Sequence, residues 1–361
     1  MVTSEHKQPW INSAWSDGIF ILLPPFIALL IVALFPAEFK NSSTMPLAYW
    51  VVLIVFIDVA HVYSTLYRTY FNPAEFKKQQ PKLIAIPLIC YIVGVVLYSF
   101  DGIIFWRVLA YLAVFHFIRQ QYGFMRIYSR NQKETSLSKY IDTVVIYTAT
   151  IYPLLYWHFT SKRNFNWFVD GDFVLFHSAI VLDISLIAYI LIVTAYVIKE
   201  IVLCVRTGQL NVPKTAIILG TILSWYFGIV YYNGDIAFTT LNVVSHGIPY
   251  MALIWIYERK RYNNTPSGKS QLLRITFSRY GVMLFVGVIV LFAYMEEGLW
   301  DGLVWKEHAS FFKPFASLPA VSGTELLALL VPLLSLPQST HYVLDGFIWK
   351  IKKTERKLDF K

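Results

Sequence analysis

Four of the eight histidines, His61, His116, His246 and His341, lie inside apolar runs. An ionisable side chain is costly enough there to be a functional hypothesis in itself. The other four, His6, His158, His177 and His308, fall in tails, loops or run ends. Counting to the first basic residue at the end of each run, His61 precedes Arg68 by 7 positions, His116 precedes Arg126 by 10, His246 precedes Arg259 by 13 and His341 precedes Lys350 by 9. At 1.5 Å per helical residue all four sit about 10 to 20 Å from one end, in what could be one layer. One histidine from each of four helices is how a bundle builds an internal metal or haem site. Neutral imidazole binds iron, copper or zinc, and the absence of a thiolate or an obvious carboxylate cluster points to iron or copper for oxygen chemistry, with zinc or haem as alternatives.

Each histidine has a polar residue one turn on: Thr65, Gln120, Tyr250 and Asp345. At i, i+4 these share the histidine's face and can orient an imidazole or fill a coordination position. Asp58, Asn242 and Gln338 stand three or four residues before three of the histidines. Asp345, Tyr250, Gln120 and Asp58 are therefore the candidate catalytic group. Arg119 needs a carboxylate, Asp58 or Asp345, because an unpaired guanidinium at that depth is expensive. With Asn242, Tyr122, Phe117, Tyr342 and Phe347 it makes the candidate substrate-binding set, to which Phe115 adds another aromatic wall suited to an apolar substrate. Pro249 and Pro337 flank His246 and His341 and allow kinks that re-aim side chains. Taken singly, any of these histidines also reads as a packing residue hydrogen-bonded across helices, and the set as a proton relay.

The elements that must carry these residues follow from composition. At 57% hydrophobic, 15% charged and a mean hydropathy of +0.53, the 361 residues exclude an ordinary soluble domain and a disordered chain. Apolar runs at 18–36, 47–67, 83–99, 102–125, 138–157, 176–203, 214–232, 236–257, 279–296 and 321–349 predict an all-α polytopic membrane bundle of about ten helices. With that count, 24 of the 31 Lys and Arg residues fall on one side, so both termini are expected in the cytoplasm, in an inner (plasma) membrane. The net charge of +9 then reports topology, and no nucleic-acid partner is expected. Nothing resembling a signal-peptide cleavage site follows the first run, which is expected to stay as a span. Cys90 and Cys204 offer neither a metal-ligand spacing nor a disulfide.

Residues 1–361 read as a single transmembrane domain, with a polar tail at 1–17, a cytoplasmic loop at 258–278 and a basic tail at 350–361. Tyr262 to Ser278 is the best candidate linker. Trp10, Trp50, Trp157, Trp300 and Trp349 suit an interfacial belt, and the aromatic segments 158–175 and 297–320 suit short interfacial helices.

The run from His341 to Lys350, with Asp345 and an aromatic-rich turn, and His116-Phe117 in the fourth helix, resemble segments of the bacteriorhodopsin-related-protein family. These are membrane β-carotene dioxygenases in which intramembrane histidines are the proposed iron ligands. The resemblance implies roles for His341, Asp345 and His116 and, by order along the chain, for His61 and His246. A second histidine one turn after His246 would match that pattern, and Tyr250 stands there.

Neither a Gly-rich phosphate loop nor a Walker pattern occurs. The expected function is a membrane-embedded, metal-dependent oxidoreductase or oxygenase, with non-haem iron as cofactor. Its partners would be the lipid bilayer, a lipid-soluble substrate such as a carotenoid, isoprenoid or acyl chain, and an electron donor. A haem-binding electron-transfer protein and a proton-coupled transporter are the alternatives from other classes.

Overall fold

The computed structural model describes residues 8–349, apart from 41, 43, 133, 134 and 265–269. Among the described residues there is no strand, and the chain is a succession of helices. In order these are α1 (Ala14–Leu22), α2 (Pro24–Leu34), α3 (Leu47–Arg68), α4 (Pro73–Phe100), α5 (Gly102–Tyr128), α6 (Ser136–Phe159) and α7 (Ala179–Thr207). There follow α8 (Val212–Tyr231), α9 (Asp235–Asn264), α10 (Gln271–Thr276), α11 (Val282–Trp305), α12 (Thr324–Leu334) and α13 (Leu336–Ile348). Their starts are written in the sequence. Asn72, Thr135, Ser178, Asn211 and Ser270 each turn a side-chain oxygen to a backbone N–H three residues on, capping α4, α6, α7, α8 and α10.

Among the described residues six helices are long and apolar enough to cross a membrane, and eight spans result if each of two bent pairs counts as one. The bent pairs are α1 with α2, at 49°, and α12 with α13, at 44°. The second break lies where Pro337 was expected to interrupt the ladder. Pro337 occupies the second position of α13, where no backbone N–H donor is needed. Pro249, by contrast, lies within an uninterrupted α9. The two remaining predicted spans, 138–157 and 236–257, are helices of 24 and 30 residues but too polar for the same test. Their polar residues, such as Asp142 on α6 and Asn242, Ser245 and His246 on α9, are buried within the protein. On α7 the balance is reversed: Ile180 and Val205 are 71% and 80% exposed. An apolar helix face left that open suits hydrocarbon, not water.

Two compact units emerge. One takes in the chain up to Thr44, Phe117–Phe165 and Val174–Pro249; the other takes in Met45–His116, Asn166–Phe173 and the chain from Tyr250. In the first unit, α6, α7 and α8 bring Asp142, Lys199, Glu200 and Lys214 together. Lys214, completely buried, reaches Asp142 at 3.2 Å and Glu200 at 2.7 Å, while Lys199 meets Glu200 at 2.5 Å and also contacts Asp142. Two ammonium groups and two carboxylates cancel, which is the condition for burying them at tolerable cost.

The second unit is centred on aromatic and branched residues, among them Val55, Val59, Tyr67, Tyr250, Ile254, Phe285 and Phe312. Here α4 and α12 pack at close range. A Cβ on Gly94 would stand 2.9 Å from the Pro332 Cβ, so glycine is required for the approach. Within α3, residues Val51–Val59 wind as a π-helix that ends just before His61. Wide turns of this kind recur at functional sites.

Three loop expectations change. The segment expected to carry an interfacial helix at 158–175 is irregular beyond Phe159. It is held by Arg163, which donates to the carbonyls of Ile229 and Tyr232 at 2.8 and 2.7 Å, and by Asp172, which accepts from the Phe168 and Val169 amides. Burial pushes the Asp172 carboxyl up to about 6, against the pull of those amides. Within 297–320 the helical content is the end of α11 and one 3-10 turn, Lys313–Phe315. Of the loop expected at 258–278, α9 continues to Asn264 and α10 occupies Gln271–Thr276. Residues 265–269 and the tail 350–361 lie outside the described residues.

Candidate metal centre

His61 of α3, His116 of α5 and His341 of α13 meet inside the second unit, each at most 2% exposed. One ring nitrogen from each lies within 4.8 Å of the other two, a grouping that could hold a metal ion. Ring centroids are 4.5 Å apart for His116 and His341, 5.1 Å for His61 and His341, and 6.4 Å for His61 and His116. The expected shared layer is present for these three.

The hydrogen bonds around them close into a ring. Thr65 Oγ1 stands 2.8 Å from His341 Nδ1 and 3.1 Å from the Tyr250 hydroxyl. Tyr250 in turn donates to Asp345 Oδ1, and Asp345 Oδ2 lies 3.4 Å from His116 Nδ1. The two Nε2 atoms of His116 and His341 then face each other at 3.1 Å. Both imidazoles are thus held by Nδ1, which turns Nε2 inward, the usual way a protein aims a ligating histidine.

Two proton placements can be written for the ring. If Thr65 donates to His341 Nδ1, His341 Nε2–H donates to His116 Nε2, but Tyr250 gives its proton to Asp345 and none is left between Thr65 and Tyr250. If Thr65 donates to Tyr250, His341 donates Nδ1–H to Thr65, and two bare lone pairs face each other, which calls for a cation. Metal–imidazole bonds are about 2.0–2.1 Å, so two nitrogens on one ion stand roughly 2.8–3.4 Å apart for right-angle to tetrahedral geometry. The observed 3.1 Å separation meets that requirement.

Other groups frame the trio. Asp58 Oδ1 is 3.8 Å from His61 Nδ1, the face of Tyr342 lies 5.2 Å from the His116 ring, and Tyr250 stands edge-on to His341. Seven residues beyond His61, Arg68 bonds Glu258 Oε1 and the Ile348 carbonyl, both at 3.0 Å. Its guanidinium lies 4.0 Å from the Tyr257 ring centre and 4.4 Å from that of Trp349. α3, α9 and α13 are therefore clamped together about two turns beyond His61 and His341.

His246 is also buried, in the first unit, one turn before Tyr250 on the same uninterrupted α9. The Phe117 ring stacks parallel on it at 3.5 Å, and Gln120 Nε2 donates to its carbonyl at 2.9 Å. Asn242 donates to the Phe238 carbonyl at 2.9 Å. Arg119 is exposed and donates to the Tyr147 hydroxyl at 3.0 Å, with Tyr122 beneath its guanidinium. That replaces the carboxylate pairing expected for it. Phe115, 57% exposed, and Phe347, 37% exposed beside Lys82, point outward instead of lining a pocket.

The residues one turn after each histidine do not serve the histidine of their own helix. Thr65 turns to His341 and Asp345 to His116, because residues on a helix face that looks inward meet the neighbouring helices. Glu296 was not anticipated. It is buried on α11 and accepts from the Tyr63 hydroxyl at 2.6 Å. The adjacent Glu296-Glu297 pair at the end of an apolar run was its sequence signal. The Asp142–Lys199–Glu200–Lys214 group had none, since its members come from three helices that only the fold brings together. No family model, curated protein or solved structure matches the chain.

Proposed function

We propose that this chain is a membrane-embedded, metal-dependent oxidoreductase or oxygenase that acts on a lipid-soluble substrate. Its ion, iron foremost, would be held by His61, His116 and His341. The observation that supports this reading most directly is the facing pair of Nε2 atoms at 3.1 Å, each imidazole fixed from behind. The all-histidine composition of the buried group adds to it. A bound iron ion would supply the redox chemistry that activates oxygen. The chain's own contribution is positional. Asp345 and Thr65 fix the tautomer and tilt of His116 and His341, and Tyr250 ties those two supports together. The 24 basic residues on one side argue for cytoplasmic termini, and the histidine segments are those that resemble the β-carotene dioxygenases.

Elemental analysis of the purified protein tests the proposal. About one equivalent of iron, copper or zinc is expected, with His116→Ala and His341→Ala each losing it while keeping the helical signal. Protein without stoichiometric metal, or variants that retain it, would reject the reading. An optical spectrum without a Soret band would separate the centre from a haem protein.

A further inference from the structure

Next to His341 the second unit holds a cavity of ≈ 280 Å³. Val62 and Leu66 of α3, Pro87 of α4, and Leu336 and Leu344 of α13 line it, together with His341 and Thr65. It lies at the break between α12 and α13. Leu333, at its rim, is 51% exposed, and on α4 Leu88, next to Pro87, is 56% exposed, so the opening is edged by outward-facing apolar residues.

The polar groups on the wall are nearly all engaged. The Tyr70 hydroxyl donates to the Leu83 carbonyl at 2.8 Å, Tyr63 donates to Glu296, and the Thr65 hydroxyl is held between Tyr250 and His341. Thr340 differs. It is 8% exposed, and its Oγ1 has no hydrogen-bond partner among the described residues. A helical threonine ordinarily returns its hydroxyl to the carbonyl one turn back, and a buried hydroxyl left unpaired is unfavourable. Among the described residues no Lys or Arg side chain lines the cavity, so none there answers a carboxylate or phosphate.

We propose that this cavity binds an uncharged hydrocarbon chain bearing one hydroxyl or carbonyl oxygen, which Thr340 hydrogen-bonds beside His341. The chain enters sideways from the bilayer at the α12–α13 break. Pockets for whole drug-sized ligands run about 300–1,000 Å³, so the volume accommodates a chain segment and leaves the remainder in the bilayer. The substrate class refines the reading of the metal centre, on which its reactive role rests, whereas binding is measured without any turnover.

Photolabelling the full-length protein in lipid nanodiscs tests this, using three probes with the same mid-chain diazirine: a long-chain alcohol, the alkane and the carboxylic acid at pH 8. The alcohol should label the peptide spanning α13 about 5- to 10-fold more efficiently than the alkane, the effect of one hydrogen bond of about 1–1.5 kcal/mol. Thr340→Val, which preserves shape, should erase that advantage, and Thr340→Ser should restore it. Leu344→Trp should block the alcohol and the alkane alike, with labelling of the exposed face of α7 unchanged. The proposal is overturned if α13 labels no better than α7, if Thr340→Val leaves the alcohol's advantage intact, or if the acid labels as well as the alcohol. Metal measured on the same preparation separates the two readings: labelling without metal defeats the metal centre alone, and metal without labelling defeats the cavity assignment alone.

Discussion

Replacing Asp345 by Asn keeps the shape of the side chain and removes the acceptor shared by Tyr250 and His116. One side of the carboxylate receives the Tyr250 hydroxyl and the other lies 3.4 Å from His116 Nδ1. An amide cannot accept on both sides, so either Tyr250 or His116 loses its anchor. Loss of such a support typically costs 10- to 100-fold in metal affinity, or about 1.4–2.8 kcal/mol. The 3.4 Å contact is long for a charge-assisted bond, which places the expectation in the lower half of that range. Thr65→Val should have an effect of similar size through His341. Because Tyr250 joins the two supports, the double variant should depart from additivity by about 0.5–3 kcal/mol. Competition between the protein and a chromophoric chelator for Fe(II) and for Zn(II) gives the affinities. Glu296→Gln, outside the ring, should leave them unchanged. Wild-type affinity in Asp345→Asn, or an equal loss in Glu296→Gln, would refute the assignment of the ring as the support of the metal.

Lys214→Met leaves two buried carboxylates facing one ammonium group, and should lower the stability of the detergent-solubilised protein by about 3–5 kcal/mol in a denaturant titration. Adding Asp142→Leu rebalances the charge and should recover most of that loss. Gly94→Val forces a Cβ to 2.9 Å from that of Pro332, and a thermal melt should report a loss of about 1–3 kcal/mol. Phe117→Ala strips the ring stacked on His246, for which about 3–5 kcal/mol is expected; an unchanged melting temperature would mean that the stack carries no packing energy.

The helices were legible because burial in hydrocarbon dictates long apolar runs, and the polar exceptions on those runs marked the centre. His61, His116 and His341 could be placed from their depths alone, since a straight helix converts position into height. Helix rotation could not be read this way. Asp345 was expected beside His341 and serves His116, and Arg119, three residues after His116, turned outward to Tyr147. Both results depend on which neighbour a face meets, which periodicity does not encode. α6 and α9 carry polar residues that the surrounding protein buries, which a reading of apolar content alone does not convey. Lys199 and Lys214 meet Asp142 and Glu200 only through the packing of α6, α7 and α8.

The wide turns of Val51–Val59 bear on how α3 tolerates change in length. A π-helical turn holds one residue more than an α-helical turn. Losing a single residue from this stretch can be absorbed by tightening it to the ordinary pitch, whereas the same loss between His61 and Arg68 would rotate one end against the other by about 100°. The segment preceding His61 is thus a length buffer. The histidine and the arginine clamp keep their mutual register while the opposite end of the helix is free to gain or lose a position.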